Sequence, residues 1–352
     1  MRFKFELVIT KSILWCLFLS SIPVFAASPT TIDLRPFGYP NCDYLFQGQD
    51  AYAERHVEFL DSQHLIVKFP LSQERACKST AVQTSSSFRS VVVDLSGGAR
   101  DSKQWSRPAV TNVQAGPDGR ILEIAPGRVT MLDASFKPLQ TITLSETDFP
   151  NLVSIKVSPS RGGFAAIDSR FIGRGFYGFS AYFDGSIPAH QSITQNTDDV
   201  IVGDGVLIPF SRSIKVGSRH FECPKAVWIA LPANLGPVCL TSDFQLVQLT
   251  EGGEQALIAD VRSLAPGWNS GFRYLVTNSD RILLESHGVH FPLTDTSGIG
   301  YYRKVAVFDL RSRKEIFRKQ FSINSDVAIS PDGNLLAVQE KWKITLYPIQ
   351  DR

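Results

Sequence analysis

Val327-Ala328-Ile329, then Ser330-Pro331-Asp332-Gly333-Asn334, then Leu335-Leu336-Ala337-Val338 is the stretch on which the fold reading turns. Two apolar, β-branched runs flank a short polar turn. Proline presets φ, aspartate bonds its own local backbone and glycine accepts positive φ, so the stretch reads strand–turn–strand. Gly116-Pro117-Asp118-Gly119-Arg120 before Ile121-Leu122-Glu123-Ile124 repeats it. Weaker copies centre on Asp61, Ser160, Asp204, Asp243 and Asp280. From Asp61 to Asp332 the seven centres make six steps over 271 residues, a mean of about 45, the period of a propeller blade. The fold expected is therefore an all-β propeller of seven four-stranded blades, with six as the alternative.

Each unit divides into strands a to d. In the second unit the strands fall near 110–115, 120–124, 128–132 and 138–144. The third places them near 152–157, 163–167, 177–183 and 188–194, and the sixth near 272–276, 281–284, 304–309 and 315–321. Alternating β-branched runs of this length are strand signals, and the Pro-Gly punctuation argues against helices. Residues 211–271 can be parsed in two ways, which is why six blades stay open. The last unit supplies only three strands, ending at 343–347. Residues 31–34 are the natural donor of a fourth, which would close the ring and cover exposed strand edges. Residues 27–352 then form one propeller domain.

The chain resembles bacterial WD-repeat-like β-propellers, in which a Ser-Pro-Asp-Gly turn joins strands a and b. Ser330-Pro331-Asp332-Gly333 matches in full, Gly116-Pro117-Asp118-Gly119 nearly, and Ser158-Pro159-Ser160-Arg161-Gly162 in part. The resemblance implies a propeller. It transfers no partner, because the Trp-Asp and Gly-His dipeptides of the WD repeat are absent, and a fold does not carry a function.

Residues 1–26 read as a signal peptide. Arg2, Lys4 and Lys11 precede an apolar run, and Val24-Phe25-Ala26 suits cleavage. No later stretch is long and apolar enough for a membrane helix. Removing this segment takes three basic and one acidic residue from totals of 36 and 34, so the mature chain is formally neutral. That argues against nucleic acid or anionic lipid as the partner. Cys42, Cys77, Cys223 and Cys239 remain, an even number that suits disulfides in an exported protein. The pairing Cys42–Cys77 with Cys223–Cys239 closes two local loops. A periplasmic or secreted monomer is expected.

In a propeller the a–b and c–d turns share one face, and the b–c and d–a connections share the other. The a–b turns are short here, whereas the b–c segments 70–89, 168–176 and 285–302 are long, so recognition is expected on the b–c face. Candidate binding residues there are Arg170, Phe171, Arg174 and Tyr177, with His287, His290, Tyr301 and Tyr302. Two guanidinium groups among aromatics suit a carboxylate, a sugar face or an acidic loop. An ordinary inter-blade loop is the plainer reading. His287 and His290 lack a third ligand nearby in sequence, so no metal is assigned. His56 and His64 read as surface residues beside the first hairpin. There is no phosphate loop, dinucleotide fingerprint or haem motif, so no cofactor is implied. Gly178-Phe179-Ser180-Ala181-Tyr182 lacks the last glycine of a nucleophile elbow. Asp184, Asp198, Asp199 and Asp204 are turn-type carboxylates that could pair for hydrolysis only if the fold joined them. The sequence favours a module that binds a protein or small ligand. A hydrolase or lyase with a central carboxylate or histidine site is the alternative, and an envelope scaffold is a third.

Overall fold

A computed structural model describes residues 29–39, 56–71, 87–106, 109–145, 149, 154–173, 176–184, 190–197, 199–264, 272–290, 300–322 and 325–350. Strand β1 (Thr30–Asp33) comes first. The first blade is β2 (His56–Phe59), β3 (His64–Pro70), β4 (Ser87–Asp94) and β5 (Ala99–Ser106). The second is β6 (Asn112–Ala115), β7 (Ile121–Ala125), β8 (Arg128–Leu132) and β9 (Pro138–Thr143). The third is β10 (Ser154–Val157), β11 (Phe164–Gly173), β12 (Phe176–Phe183) and β13 (His190–Thr197). Two hairpins follow, β14 (Val200–Gly203) with β15 (Val206–Pro209), and β16 (Ser213–Val216) with β17 (Arg219–Glu222). The next blade is β18 (Ala226–Ala230), β19 (Val238–Thr241), β20 (Gln245–Leu249) and β21 (Gln255–Asp260). Then come β22 (Phe272–Val276), β23 (Arg281–His290), β24 (Gly300–Asp309) and β25 (Lys314–Ser322). The last three strands are β26 (Asp326–Ile329), β27 (Leu335–Glu340) and β28 (Lys343–Pro348).

Six antiparallel four-stranded sheets make a β-propeller. The last is ordered β26-β27-β28-β1, so the N-terminal strand completes the C-terminal blade as expected. Ile32 pairs with Ile344 and Thr31 with Thr345. Beyond the ladder, Leu34 N donates to Trp342 O at 2.7 Å, and the Arg35 guanidinium lies 3.8 Å from the centre of the Trp342 ring.

Apolar side chains fill the seams between neighbouring sheets. Val91 and Val93 pack with Ile344 and Leu346 of the last blade, while Val92, between them in sequence, packs with Ile121 and Leu132 of the second. Successive strand residues point to opposite faces. A strand buried on both faces therefore reads as an unbroken apolar run, as Val91-Val92-Val93 does. Leu283 and Leu284 divide in the same way between the seams on either side of β23. The two hairpins fill one further sector. Val200 and Leu207 pack on the third blade, and Ile201, Ile208, Ile214 and Phe221 pack toward β18–β20. The second hairpin falls within 211–271, the stretch whose parsing the sequence left open: six complete blades form, and two hairpins without a common ladder among the described residues occupy the remaining position.

The turn chemistry works as the sequence implies. Ser330 Oγ accepts from Leu335 N at 2.9 Å and donates to Asp332 Oδ1 at 2.5 Å. Gly333 has φ +74°, and a Cβ there would sit 2.6 Å from Arg281 Cδ and from Ser279 Oγ, so only glycine fits. Ser158 Oγ accepts from Gly163 N at 3.0 Å and Thr277 Oγ1 from Arg281 N at 3.1 Å, which makes the same device in two other a–b turns. Neighbouring turns also join: Asp118 N to Arg161 O at 3.3 Å, Ser160 N to Asp204 Oδ1 at 3.1 Å, and Asn278 N to Pro331 O at 3.2 Å. One centre is misplaced. Ser242-Asp243 joins β19 to β20, so it is a b–c turn, and the a–b connection of that blade spans 231–237. Both connections carry turn-forming residues, and the sequence alone does not say which comes first.

Cys223 and Cys239 form a disulfide across 16 residues, tying the end of the second hairpin to β19. Cys42 and Cys77, and the segment 1–26, lie outside the described residues. No helix among the described residues is long and apolar enough to cross a membrane.

Ending the chain before Ser325 removes β26–β28 and leaves β1 without a partner. The truncated protein is expected to lose its cooperative thermal transition and its near-ultraviolet circular dichroism, and a shortened chain with wild-type unfolding would disprove closure by the termini. Replacing Cys223 and Cys239 by alanine is expected to cost about 3 kcal/mol, the entropy of a loop of this length, read as a fall in the denaturation midpoint that reducing agent reproduces in the wild type.

Candidate functional site

The first strands of the units surround a central channel of about 640 Å³. β2, β6, β10, β14, β22 and β26 all line it, so the hairpin sector contributes an inner strand like the complete blades. The inner strands differ in burial: β14 and β26 place apolar side chains in the seams on both sides. In β2 the burial alternates, with Val57 and Phe59 in the seam and His56 and Glu58 toward the channel. At the start of the inner strands, on the b–c and d–a side, charged residues from three strands meet.

His56 lies at the centre of this cluster. Its Nε2 is 2.7 Å from Glu58 Oε1 and its Nδ1 is 3.2 Å from Asp326 Oδ2, across the junction of first and last blades. Glu58 Oε2 also accepts from Ala115 N of the second blade, and Asp326 Oδ2 from Val57 N at 2.9 Å. Burial by itself lowers the imidazole pKa, but Glu58 and Asp326 outweigh it and raise His56 to about 10. The same burial disfavours the Asp326 carboxylate; the hydrogen bond and charge of His56, with Val57 N and Arg273, prevail and hold it at about 2. Glu58 is likewise lowered despite its burial, chiefly by His56. His56 is therefore a cation, and both acids are carboxylates.

The cluster continues into the β22–β24 blade. Glu285 is fully buried and forms an ion pair with Arg303, Nη1 to Oε1 2.9 Å; His287 Nε2 bonds the same carboxylate. Arg273, opposite Glu285 in the ladder, reaches to 3.9 Å from Glu285 and 4.0 Å from Asp326. Removing one partner of a buried pair such as Glu285–Arg303 costs roughly 3–5 kcal/mol, because the other charge stays buried.

His287, chosen from sequence, thus joins the edge of this cluster. The remaining candidates lie on two hairpins that run beyond their inner strands. β10 pairs only with residues 164–167 of β11, yet β11 and β12 stay paired out to Gly173 and Phe176. β22 reaches Ser286, while β23 and β24 continue to His290 and Gly300. Within the expected loops 168–176 and 285–302 the described residues 168–173, 176, 285–290 and 300–302 are therefore strand, because β11–β12 and β23–β24 stay paired there, so polar residues such as Asp168 and Glu285 do not end the strands. Arg170 faces Gly178 and Phe171 faces Tyr177 across one arm; Tyr302 faces Gly288 and Tyr301 faces Val289 across the other. Tyr177 is exposed, and Lys304 Nζ lies 5.0 Å from the Tyr302 ring. Arg174 lies outside the described residues, as do the side chains of Phe171, His290 and Tyr301. Among the described residues, no hydrogen bond or ion pair joins Arg170 to His287, and no group of three metal-ligating side chains forms.

Two expectations need correction. His56 is a channel residue, and His64 is clamped between Asp61 at 2.8 Å and Asp94 at 2.9 Å. Each has one acidic partner close in sequence, Glu58 or Asp61, and one on another strand, Asp326 or Asp94, which the local sequence does not reveal. Of the turn carboxylates, Asp184 accepts from Phe164 N at 2.5 Å, Asp204 holds Ser160, and Asp199 alone lines the channel; Asp198 lies outside the described residues. Glu58, Arg273, Arg303 and Asp326 carried no sequence signal beyond their places on inner or neighbouring strands.

No protein family matches the chain, and no curated protein does. Among solved structures, a member of the DUF4221 family from Bacteroides vulgatus is similar at 10% identity and a TM-score of 0.42, covering 92% of this chain and 97% of that one. A chain of the mitotic checkpoint complex is similar at 12% identity and a TM-score of 0.41, over 100% of this chain and 99% of that one. The Dos1 propeller is similar at 12% identity and a TM-score of 0.32, over 75% and 74%. Likenesses this loose carry no argument, and the propeller rests on its strand pairing.

His56 titrates near 10 in the folded protein against 6.5 unfolded. Its ion pairing contributes fully below pH 6.5 and is lost as the pH rises toward 10. Asp326, lowered from 3.8 to about 2, contributes above pH 3.8 and loses that contribution as the pH falls through 2. The thermal midpoint of the wild type is expected to fall between pH 7 and 10, and His56→Gln to flatten that fall. Equal slopes in the two proteins would remove His56 from the network.

Proposed function

We propose that the protein is an extracytoplasmic β-propeller binding module, akin to bacterial WD-repeat-like propellers, that presents its b–c face to a protein or small ligand. One observation carries this reading. The channel mouth holds a charged cluster, and two hairpin arms bearing Arg170, Tyr177, His287 and Tyr302 extend past the inner strands beside it. On the opposite, a–b face the turns at Asp118, Ser160, Asp204, Asp280 and Asp332 are short and bonded to a neighbour, a rigid base rather than a variable surface. Export is supported by the apolar leader 1–26 and by the Cys223–Cys239 disulfide. The protein acts as a monomer and needs no cofactor in this reading.

A hydrolase or lyase is the second reading, and the convergence of His56, Glu58, Asp326 and Glu285 favours it. Binding comes first because Glu58 and Asp326 are both held below the usual carboxylate range. A carboxylic general acid must keep its proton near neutral pH, and the protonated His56 is already engaged by a carboxylate on each ring nitrogen. The third reading, an envelope scaffold, needs a broad apolar patch. Among the described residues, the exposed large hydrophobic ones, Leu139, Tyr177, Val227 and Leu257, instead lie on four different strands.

A photoreactive residue placed at Tyr177 or Tyr302 in an exporting host is expected to form partner or ligand adducts that the same residue at Asp204, on the a–b face, does not form. Adducts confined to position 204 would reverse the assignment of the faces. Turnover of a glycoside or ester that Glu58→Gln abolishes would replace the binding reading with the hydrolase one.

A further inference from the structure

The balance of engaged and available charge along the channel is uneven. Every described carboxylate lining it already has partners. Glu58 is held by His56 and Ala115 N, and Asp199 accepts from Val200 N at 2.7 Å. Asp326, at the mouth, is held by His56 and Val57 N. The cations divide differently. His56 has a carboxylate on each ring nitrogen, and Arg161 donates to Phe59 O at 3.2 Å. Arg273 and Lys156 are the exceptions. Arg273, with 42% of its side chain exposed, approaches two carboxylates only at 3.9 and 4.0 Å, and donates no hydrogen bond to a described residue. Lys156 on β10 is exposed, lines the same channel, and has neither hydrogen bond nor ion pair among the described residues.

The geometry points to the channel as a binding site for a small anion, an acid carrying carboxylate or phosphate groups, with Arg273 at the mouth and Lys156 on the wall as its charge partners. This rests on the reading that the b–c face and its opening bind a ligand, and names the ligand's chemistry. An arginine offers five N–H donors in a planar fork that matches carboxylate and phosphate oxygens, and a lysine adds a mobile point charge. The carboxylates nearby do not leave the opening negative, because His56, Arg303, Arg273, Arg161 and Lys156 carry five positive charges against the four of Glu58, Asp326, Glu285 and Asp199. A cavity of about 640 Å³ suits a small molecule, since ligand pockets run from about 300 to 1,000 Å³. A folded partner could not enter it. The neutral mature chain presents no general basic surface, so this attraction is local to the channel.

The test is calorimetric titration of the purified protein with citrate, succinate and inorganic phosphate at low salt, with sucrose as the neutral control. At least one anion is expected to bind, to raise the thermal midpoint, and to weaken as salt rises. Arg273→Gln and Lys156→Gln are each expected to weaken it tenfold or more, and Arg273→Lys to restore part of the loss. Both residues are exposed, so unfolding curves should show the variants folded. Carboxylates binding without phosphate, or the reverse, identifies which source of the shared chemistry is used. The inference is overturned if the wild type binds none of the three anions, or if both glutamine variants bind unchanged. Sucrose binding without anion binding overturns it too, yet leaves the opening as a ligand site. Adducts at Tyr177 that persist in Arg273→Gln separate failure of the anion site from failure of the binding-face reading.

Discussion

The pairing of β1 with β28 is the contact on which the rest of the ring depends. Sheets joined in a row leave two apolar outer faces and two open edges. Here the last blade has only β26–β28 of its own, and residues from the far end of the chain supply its fourth strand. The same junction builds the site. Only because the last blade meets the first does Asp326 reach His56 and Val57 N. Closure and channel chemistry are thus one arrangement seen at two depths: apolar Ile32, Val57, Val91 and Ile344 behind, ionic His56 and Asp326 in front.

The ionic cluster follows from the geometry of inner strands. In β2 one face lies in a seam and the other, with His56 and Glu58, meets the channel, so those residues must tolerate water confined between blades. Charges placed there are only partly solvated and are stabilised by one another. His56 becomes a cation and its neighbours carboxylates because each reduces the desolvation cost of the other. Glu285, fully buried, needs Arg303 and His287 for the same reason. The acids are thereby engaged, while Arg273 and Lys156 donate no hydrogen bond to a described residue.

The two faces differ in how their backbones are satisfied. On the a–b side, hydroxyls of Ser158, Thr277 and Ser330 bind nearby backbone N–H groups, and turn-to-turn bonds link neighbouring units. On the other side β11 and β23 run on past the inner strand and stay paired with β12 and β24, which pair in turn with β13 and β25, so the arms project beyond the inner strands. A rigid base with projecting arms suits recognition better than a uniform surface does.

The sequence by itself determined the class, the period and the closure, since these are local or additive. Turn residues act within five positions, apolar runs report burial on both faces, and a last unit one strand short requires a donor at the other end. It also carried the Cys223–Cys239 pairing, which closes a short loop. It did not show that residues 168–173 and 285–290 remain strands, because polar residues look like loop until a partner strand is seen to pair with them. Nor did it show that 199–222 folds as two hairpins. Above all, it could not bring His56, Glu58, Arg273, Glu285, Arg303 and Asp326 together. Up to 270 residues separate direct partners in that cluster. Only the closed ring makes such distant residues neighbours, and nothing in the spacing of isolated charges records which of them a channel will collect.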